Sequence, residues 1–361
     1  MLRSNAELKS DTGLPLVFDG HNDVLSMLMK SGGPSAANSF LTGHDGAIDA
    51  KRAKIGGFGG GFFAIYIPSP DTTDDRLKAM RQPSFDIPLP EPIAYTQATP
   101  IAQEQVAILN HLEKVGALKI CVTTDELRQS MANGTIAAIM HMEGAEAIDE
   151  NLHALDLYYR AGLRSLGPVW SRSTIFGHGV PFRFPSDGDI GTGLTEFGVR
   201  LVKRCDELGI LIDLSHLNEA GFWDVAKHSD APLVATHSNP HQICKSSRNL
   251  TDKQLAAVAE SDGMVGVNFS VSFLRPDGQK NTNVDLDLVV RHFDYLIEKL
   301  GEDRVGFGSD YDGAMVPDKI SSISDLPRLL EAMRSYGFDE ALLIKLCHEN
   351  WLRVLKKAWN E

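Results

Sequence analysis

The sequence predicts an α/β protein of the (β/α)₈ TIM-type barrel class, and three observations support this prediction. Eight short apolar runs are spread along the 361 residues. Most of them are followed by a stretch with helical spacing of apolar residues. Histidines and carboxylates recur where the runs end. Because the carboxyl ends of barrel strands face one mouth, this fold would gather those side chains, whereas a doubly wound sheet would not draw them from first, middle and last strands.

The length is compatible with one large core, since α/β barrels of this size form a single unit. We therefore expect one barrel domain over residues 1–361. Its core would span about 16–315, with C-terminal helices over about 323–359.

Composition excludes several kinds of partner. The chain is 43% hydrophobic and 23% charged, as in an ordinary globular protein. A net charge of -13 argues against a nucleic-acid or anionic-membrane partner. The four cysteines form no Cys-x-x-Cys pair, and no stretch has the length of a secretory signal or membrane span. The sequence thus predicts a small-molecule substrate and a cytoplasmic location, and it is compatible with a homodimer.

The first apolar run leads directly into a metal-ligand pair. Residues 16–18 are followed by Asp19-Gly20-His21-Asn22-Asp23. Residues two apart in an extended chain point to the same side. His21 and Asp23 are therefore predicted to bind one ion together.

The second run, at 62–67, is entered through glycines. No Lys-Ser or Lys-Thr follows these glycines, so we expect close backbone packing and no phosphate loop. The Pro-rich residues 68–98 suit an insertion over one face. Apolar spacing then predicts a helix over about 99–115.

The third run closes on a carboxylate. Residues 136–145 are apolar except near their end, where Glu143 stands before a glycine. An amphipathic stretch at 152–161 leads into a weaker strand at 163–170. A helix is predicted over 195–208, because a glycine follows its last residue.

Two runs terminate in histidine. Residues 210–216 end at His216 and residues 232–237 end at His237. The segment 219–228 between them fits a short helix.

The last two runs occupy 264–269 and 305–310. A long helical pattern from 286 to 300 separates them, and the second run ends at Asp310. From residue 326 onward the pattern indicates helices only.

Three imidazoles and two carboxylates suit zinc or another divalent transition ion. With Asp310, the candidates exceed what one tetrahedral ion takes, so two ions are the economical interpretation. Glu143 could bridge them together with a hydroxide, at an intermetal spacing of about 3.5–4 Å. Asp310 would accept the proton of the hydroxide and pass it to a leaving amine. The candidate ligands are His21, Asp23, Glu143, His216 and His237.

The remaining histidines are interpreted as structural or solvent-exposed. His141 shares a strand face with Glu143, and core packing is favoured over support of a ligand. Those in predicted loops or helices are His44, His111, His153, His228, His241, His292 and His348.

Several motifs occur in a specific order along nearly the whole chain. They are Gly20-His21-Asn22-Asp23, Glu143-Gly144, Asp213-Leu214-Ser215-His216, His237 with Arg248-Asn249 eleven residues on, and Gly308-Ser309-Asp310-Tyr311-Asp312-Gly313. This ordered set resembles the renal (membrane) dipeptidase family of zinc metallopeptidases. The absence of a leader and of a lipid-anchor tail in this sequence favours a soluble, prokaryote-like member.

The resemblance implies a barrel with a binuclear zinc site that hydrolyses the peptide bond of dipeptides. One zinc would be held by His21, Asp23 and Glu143, and the other by Glu143, His216 and His237. Asp310 would transfer the proton. Arg248 would bind the carboxylate of the dipeptide, for which a guanidinium fork is suited. The resemblance leaves open whether the C-terminal residue of the substrate is an L- or a D-residue.

The sequence departs from the family at Trp170, which aligns with a histidine thought to help hold the substrate carbonyl. An indole can donate a hydrogen bond but cannot carry a positive charge. Trp170 is therefore expected to contact substrate and to alter the substrate range.

Two other functions remain open. One is an amidohydrolase-type barrel acting on a cyclic amide, lactone or ester; many of these bridge their metals with a carboxylated lysine, and here Glu143 takes that position. The other is a catalytically silent binding barrel. The complete set of expected ligands argues against this second alternative, and only Trp170 supports it.

Overall fold

The computed structural model describes residues 8–10, 13–69 and 78–361. Its strands are β1 Val17–Asn22, β2 Phe58–Tyr66, β3 Phe85–Ile87, β4 Leu118–Ile120, β5 Ile136–Glu143, β6 Leu163–Gly167, β7 Phe182–Phe184, β8 Leu211–Ile212, β9 Val234–Ser238, β10 Met264–Val267 and β11 Val305–Phe307. The centre of the structure is a parallel sheet in the order β8-β6-β5-β2-β1-β11-β10-β9, with β4 also paired to β5.

A single bridge joins the two ends of this order. Asp213, directly after β8, pairs in parallel with Val234 of β9. The Leu214 N–H donates to the Val234 carbonyl at 2.9 Å. The eight strands of the main order therefore close into a barrel, and they are the eight apolar runs of the sequence. The predicted fold class is confirmed.

Helices alternate with the strands. The helix predicted over 195–208 is capped by Thr195, whose side chain accepts from the Gly198 N–H, and it ends at Gly209 in the left-handed conformation. The predicted helix at 99–115 begins four residues earlier than expected. The α-helices are Val24–Lys30, Ser39–Thr42, Ala50–Gly56, Tyr95–Lys114, Thr124–Ala132, His153–Ala161, Glu196–Leu208, Glu219–His228, Asp252–Glu260, Val271–Leu274, Leu286–Leu300, Leu326–Tyr336, Glu340–Ile344 and Asn350–Ala358, with a π-helix at Lys345–Glu349.

The interior of the barrel is apolar towards the amino-terminal ends of the strands and polar towards their carboxyl-terminal ends. The apolar part is filled by Phe18, Phe62, Ile139 and Val234 together with Trp351 of the last helix. The indole N–H of Trp351 donates to the Phe307 carbonyl at 3.0 Å. The last helix and the π-helix before it cover the amino-terminal ends of β1 and β11, because Asn350 Nδ2 donates to the Val305 carbonyl at 2.8 Å and His348 Nδ1 lies 2.7 Å from the Leu16 carbonyl oxygen. The opposite mouth is left open. The single-domain boundaries stay a prediction.

The glycines before the second predicted run permit close strand packing, as expected. A Cβ added at Gly61 would lie 2.6 Å from the Asp19 carbonyl oxygen. This separation is too short for any side chain, so the β1–β2 contact requires glycine there.

Part of the predicted insertion at 68–98 forms strand β3, which sequence periodicity did not indicate. β3 within it pairs antiparallel with β7 from the loop after β6. Residues 70–77 of the predicted insertion lie outside the described residues. Within the described part of the chain, no helix is long and apolar enough to cross a membrane.

Candidate metal centre

Glu143 is the point on which the candidate ligands converge. Its Oε1 lies 2.9 Å from His216 Nε2 and 3.6 Å from the Nε2 atoms of both His21 and His237. Asp23 Oδ2 is 3.3 Å from His21 Nε2. All five side chains are buried. The structure therefore brings together every ligand that the sequence predicted.

Strand alternation accounts for Glu143. In β5, Ala137 and Ile139 belong to the barrel interior, whereas Ala138 and Met140 pack in the outer core. Side chains of a strand alternate between its two faces. Glu143 therefore continues the inward series above the apolar layer.

Strand irregularities account for His21 and His237. Asp19 and Asn22 of β1 pair with Gly61 and Phe63 of β2, so β1 has one extra residue in this interval. β9 likewise has one extra residue, since Ala235 and Ser238 pair with residues two apart in β10. Such bulges re-aim side chains next to active sites. Each bulge contains one of the two histidines.

His216 is carried by a turn and not by a strand. β8 ends at Ile212, and the Ser215 N–H donates to Asp213 Oδ1 at 3.1 Å. This Asx-turn directs the chain back across the mouth of the barrel. His216 then reaches the Glu143 carboxylate.

The ring nitrogens of these histidines fit a metal centre. Nδ1 of His216 lies 2.9 Å from Ser171 Oγ, and Nδ1 of His237 lies 2.8 Å from Thr236 Oγ1. Outer partners of this kind fix the tautomer and leave Nε2 to a metal. Among the described residues, neither ring nitrogen of the buried His21 has a hydrogen-bond partner. A divalent cation between His21 Nε2 and Glu143 would give that nitrogen a partner.

The electrostatics of the cluster also fit a cation. Burial raises the pKa of Glu143 well above its usual value, and the charges of Asp23 and Asp310 add to the effect. Burial, followed by the charge of Arg248, holds the pKa of His216 well below its usual value. Burial lowers the pKa of His21, but Glu143 and Asp23 outweigh it and raise that pKa to about 10. The site therefore concentrates negative charge that a divalent ion would neutralise.

Asp310 stands beside this cluster in an unusual backbone conformation. Its φ is 62°, in the left-handed region. Asn268 Nδ2 donates to its Oδ2 at 2.9 Å. Burial raises the pKa of Asp310 to about 6, with His21 opposing and Asp23 adding to the shift. A carboxyl group with a pKa in this range can accept and release a proton near neutral pH.

Arg248 is a buried cation with incomplete hydrogen bonding. It is 3% exposed, and its Nη2 donates to the His237 carbonyl at 3.3 Å. Its Nε and Nη1 have no hydrogen-bond partner among the described residues. Burial lowers its pKa to about 10. Because unpaired buried charge is costly, this fork is suited to an anion that enters the site.

A cavity of about 760 Å³ opens above Glu143, Asp310 and His216. Trp170 forms part of its wall, with its ring centroid 5.6 Å from that of His216. The rest of its aromatic lining is formed by Tyr66, Phe182, Phe273 and Tyr311. A cavity of about 550 Å³ at the amino-terminal ends of β1, β2 and β5 is lined by other residues.

Sequence reasoning missed the residues that support the site. Asn268 directly follows β10, and Tyr66 ends β2. Both are polar residues at the end of an apolar run, which is the signal that identified the candidate ligands. Ser171 carried no such signal.

His141 is buried beneath the cluster, as the sequence analysis favoured. Its Nδ1 lies 2.9 Å from Ser165 Oγ, and its Nε2 is 3.6 Å from Asp213 Oδ2. His153 is exposed, as expected. His292 and His348 bond to backbone carbonyls and are structural.

A buried group of histidines and carboxylates, set at the open mouth of a parallel barrel and beneath a cavity, defines the class of barrel metallohydrolases. The chain belongs to the membrane dipeptidase family (peptidase family M19), whose sequence profile matches residues 12–360. The family resemblance drawn from the motifs is confirmed.

Solved structures and curated relatives agree with this assignment. A metallopeptidase from Rhodobacter sphaeroides, liganded with a phosphinate mimic of the dipeptide L-Ala-D-Ala, is 53% identical with a TM-score of 0.93, covering 95% of this chain and 99% of that one. A dipeptidase AC structure is 52% identical with a TM-score of 0.93, covering 96% and 99%. A Klebsiella pneumoniae protein described by its place in the pqqA 5′ region is 44% identical over 72% of this chain and 97% of its own length.

Proposed function

We propose that the chain is a binuclear zinc dipeptidase that hydrolyses dipeptides bearing a free C-terminal carboxylate. The observation that carries this proposal is the buried, incompletely bonded Arg248 fork beside the converging ligands of Glu143. The Rhodobacter sphaeroides relative, which was solved with a dipeptide mimic, supports the substrate class. The mimic contains a D-residue at its C-terminal position, so we include such dipeptides among the substrates.

The described side chains divide into two ligand sets. His21, Asp23 and Glu143 would hold one ion, and Glu143, His216 and His237 the other. When bound, the two ions would polarise the scissile carbonyl and generate a nucleophile from water at neutral pH. The Nε2 of His21, which has no hydrogen-bond partner among the described residues, and the burial of Glu143 support this division.

Asp310 acts as the proton carrier. Its carboxyl group is oriented by Asn268 and lies within 4.8 Å of the side chains of His21 and Asp23. It takes the proton released when water attacks the carbonyl and delivers it to the nitrogen of the leaving amine. Its raised pKa suits a group that must both accept and donate this proton.

Arg248 orients the substrate. Its free Nε–H and Nη1–H groups would donate to the carboxylate of the C-terminal residue, which places the scissile bond over the ligand cluster. Nη2 stays anchored on the His237 carbonyl. The guanidinium therefore links substrate position to the strand that carries a ligand.

Two alternatives are less well supported. In an amidohydrolase-type site for cyclic amides or esters, a carboxylated lysine often bridges the metals, and here Glu143, on which the candidate histidines converge, would take that place. A silent binding barrel would not require the Asp310 and Arg248 arrangement. The cytoplasmic location and the homodimer stay predictions.

The purified protein is expected to carry about two divalent metals per chain, with zinc the expected ion. Removal by a chelator should abolish dipeptide hydrolysis, and added zinc should restore it. Elemental analysis and a dipeptide assay test this, with His153→Ala as a control because that imidazole is exposed and remote from the ligand set. Trace metal together with chelator-resistant activity would contradict the proposal.

Trp170→His is expected to broaden the substrate range. The indole contributes a bulky, largely apolar wall against Tyr66 and Phe182, with ring centroids 5.2 and 5.7 Å away. An imidazole is smaller and can carry charge, so larger and more polar dipeptides should gain in kcat/KM relative to Ala-Ala. The measurement is a dipeptide panel, D-residues included, for parent and variant. An unchanged ranking of substrates would show that Trp170 does not set the range.

A further inference from the structure

The Asp213 carboxylate lies behind His237 and is connected to it through one hydroxyl group. Thr236 Oγ1 donates to Asp213 Oδ2 at 2.6 Å, and the same oxygen lies 2.8 Å from His237 Nδ1. A hydroxyl group has one proton. Since that proton is directed to the carboxylate, the Thr236 oxygen accepts from the imidazole. The His237 proton therefore resides on Nδ1, and Nε2 presents its lone pair towards Glu143.

We propose that Asp213 is a positioning residue of the metal centre, acting through Thr236 to hold His237 in the tautomer that can ligate a divalent ion. This inference rests on the proposed function, because it requires that His237 binds metal. Loss of such an outer partner typically costs about 10–100-fold in metal affinity.

The two oxygens of Asp213 have separate roles. Oδ1 accepts from the backbone N–H groups of Ser215 and Thr236, at 3.1 and 2.8 Å, and from Ser215 Oγ at 2.7 Å. Oδ2 accepts from Thr236 Oγ1. Oδ1 thus holds the backbone at the closure of the barrel, whereas Oδ2 serves the imidazole.

This division makes Asp213→Asn a selective change. An amide with its oxygen in the place of Oδ1 keeps both backbone bonds and presents an NH₂ donor to Thr236. The Thr236 hydroxyl must then accept from the amide and can donate to His237 Nδ1. The imidazole proton would move to Nε2, where it blocks ligation.

The effect should be confined to one of the two ions. His216 takes its outer hydrogen bond from Ser171, and His21 belongs to the other ligand set. Only the ion held by Glu143, His216 and His237 depends on the Asp213 relay. We therefore expect one zinc affinity to fall and the other to be preserved.

The test is a zinc titration of the metal-free full-length chain in competition with a chromophoric chelator. Asp213→Asn and Thr236→Val should weaken one zinc by about 10–100-fold, and Thr236→Ser, which restores a hydroxyl, should bind as the parent does. Ser261→Ala is the matched control, since it removes a hydroxyl that accepts from the Leu233 N–H at the amino-terminal end of β9, away from the ligand sets, and it should leave both zinc affinities unchanged. Thermal unfolding of the metal-free proteins reports folding independently of zinc.

Parent-like affinity for both ions in Asp213→Asn and Thr236→Val would overturn the inference. Equal weakening by Thr236→Ser and Thr236→Val would also overturn it, because packing and not the hydroxyl would then be responsible. If Asp213→Asn does not fold, the Thr236 pair decides, since it leaves the Asp213 backbone bonds intact. A parent protein that binds no zinc would overturn the proposed metal centre itself, which is a distinct result.

Discussion

Asp310→Asn is expected to retain metal and fold while kcat falls by about 10²–10⁴-fold, the usual contribution of a positioned proton carrier. Asparagine tolerates the left-handed backbone found at residue 310, where φ is 62°. The amide oxygen of the new asparagine can also accept the hydrogen bond that Asn268 Nδ2 donates to Asp310. The substitution therefore removes the ability to accept and deliver a proton and leaves the geometry largely unchanged. Steady-state kinetics on a dipeptide, combined with elemental analysis, measure both quantities.

Asp312→Asn provides the matched control. Asp312 lies two residues further along the same loop, also with a left-handed φ of 67°, and its Oδ1 accepts from the Ala47 N–H. An amide oxygen can accept the same bond, so this variant should keep its turnover. If Asp310→Asn lost metal in proportion to activity, Asp310 would be a ligand and the assigned mechanism would be wrong.

The sequence was sufficient to predict the barrel because its signal is repeated. Each of the eight main strands is a short apolar run, and a barrel is the arrangement that places all of their ends at one mouth. Ligand candidates at those ends were therefore identified without knowledge of any contact. Register errors of a residue or two do not affect such an argument.

The local argument that the side chains of His21 and Asp23 lie close together gave the observed proximity for an incomplete reason. Strand alternation was expected to place both on one side, and their side chains do lie 3.3 Å apart. However, β1 ends at Asn22, and Asp23 is the residue that precedes the helix Val24–Lys30. The bulge in β1 and the turn after it bring the side chains together. A bulge depends on pairing with a distant strand, so the residues of one strand do not indicate it.

The supporting residues were missed because their roles are set by non-local contacts. Asn268 matters because Asp310, 42 residues away in sequence, lies next to it. Ser171 matters because His216 folds back upon it from 45 residues away. Neither residue type is distinctive in its own neighbourhood. Only the three-dimensional arrangement distinguishes them from ordinary loop residues.

Arg248→Ala is expected to lower kcat/KM for a free-acid dipeptide. The loss of transition-state stabilisation should be about 2–5 kcal/mol, the cost of truncating one partner of a buried charge pair. This corresponds to a factor of about 30 to 4,000 at 1.4 kcal/mol per decade. The guanidinium is 3% exposed, and two of its nitrogens have no partner in the described part of the chain, so water cannot readily replace it. Arg248→Lys keeps the charge but loses the planar fork, and it should give an intermediate value.

The substrate supplies the other half of the test. Converting the substrate carboxylate to an amide should cost the parent enzyme about 1.5–3 kcal/mol, the scale of a hydrogen bond to a charged group. In Arg248→Ala the same conversion should cost little, because the partner of the carboxylate is gone. This non-additivity between protein and substrate changes isolates their direct pairing from any general damage to the site. Equal rates on acid and amide in the parent would remove Arg248 from the substrate site and favour a cyclic amide or ester as substrate.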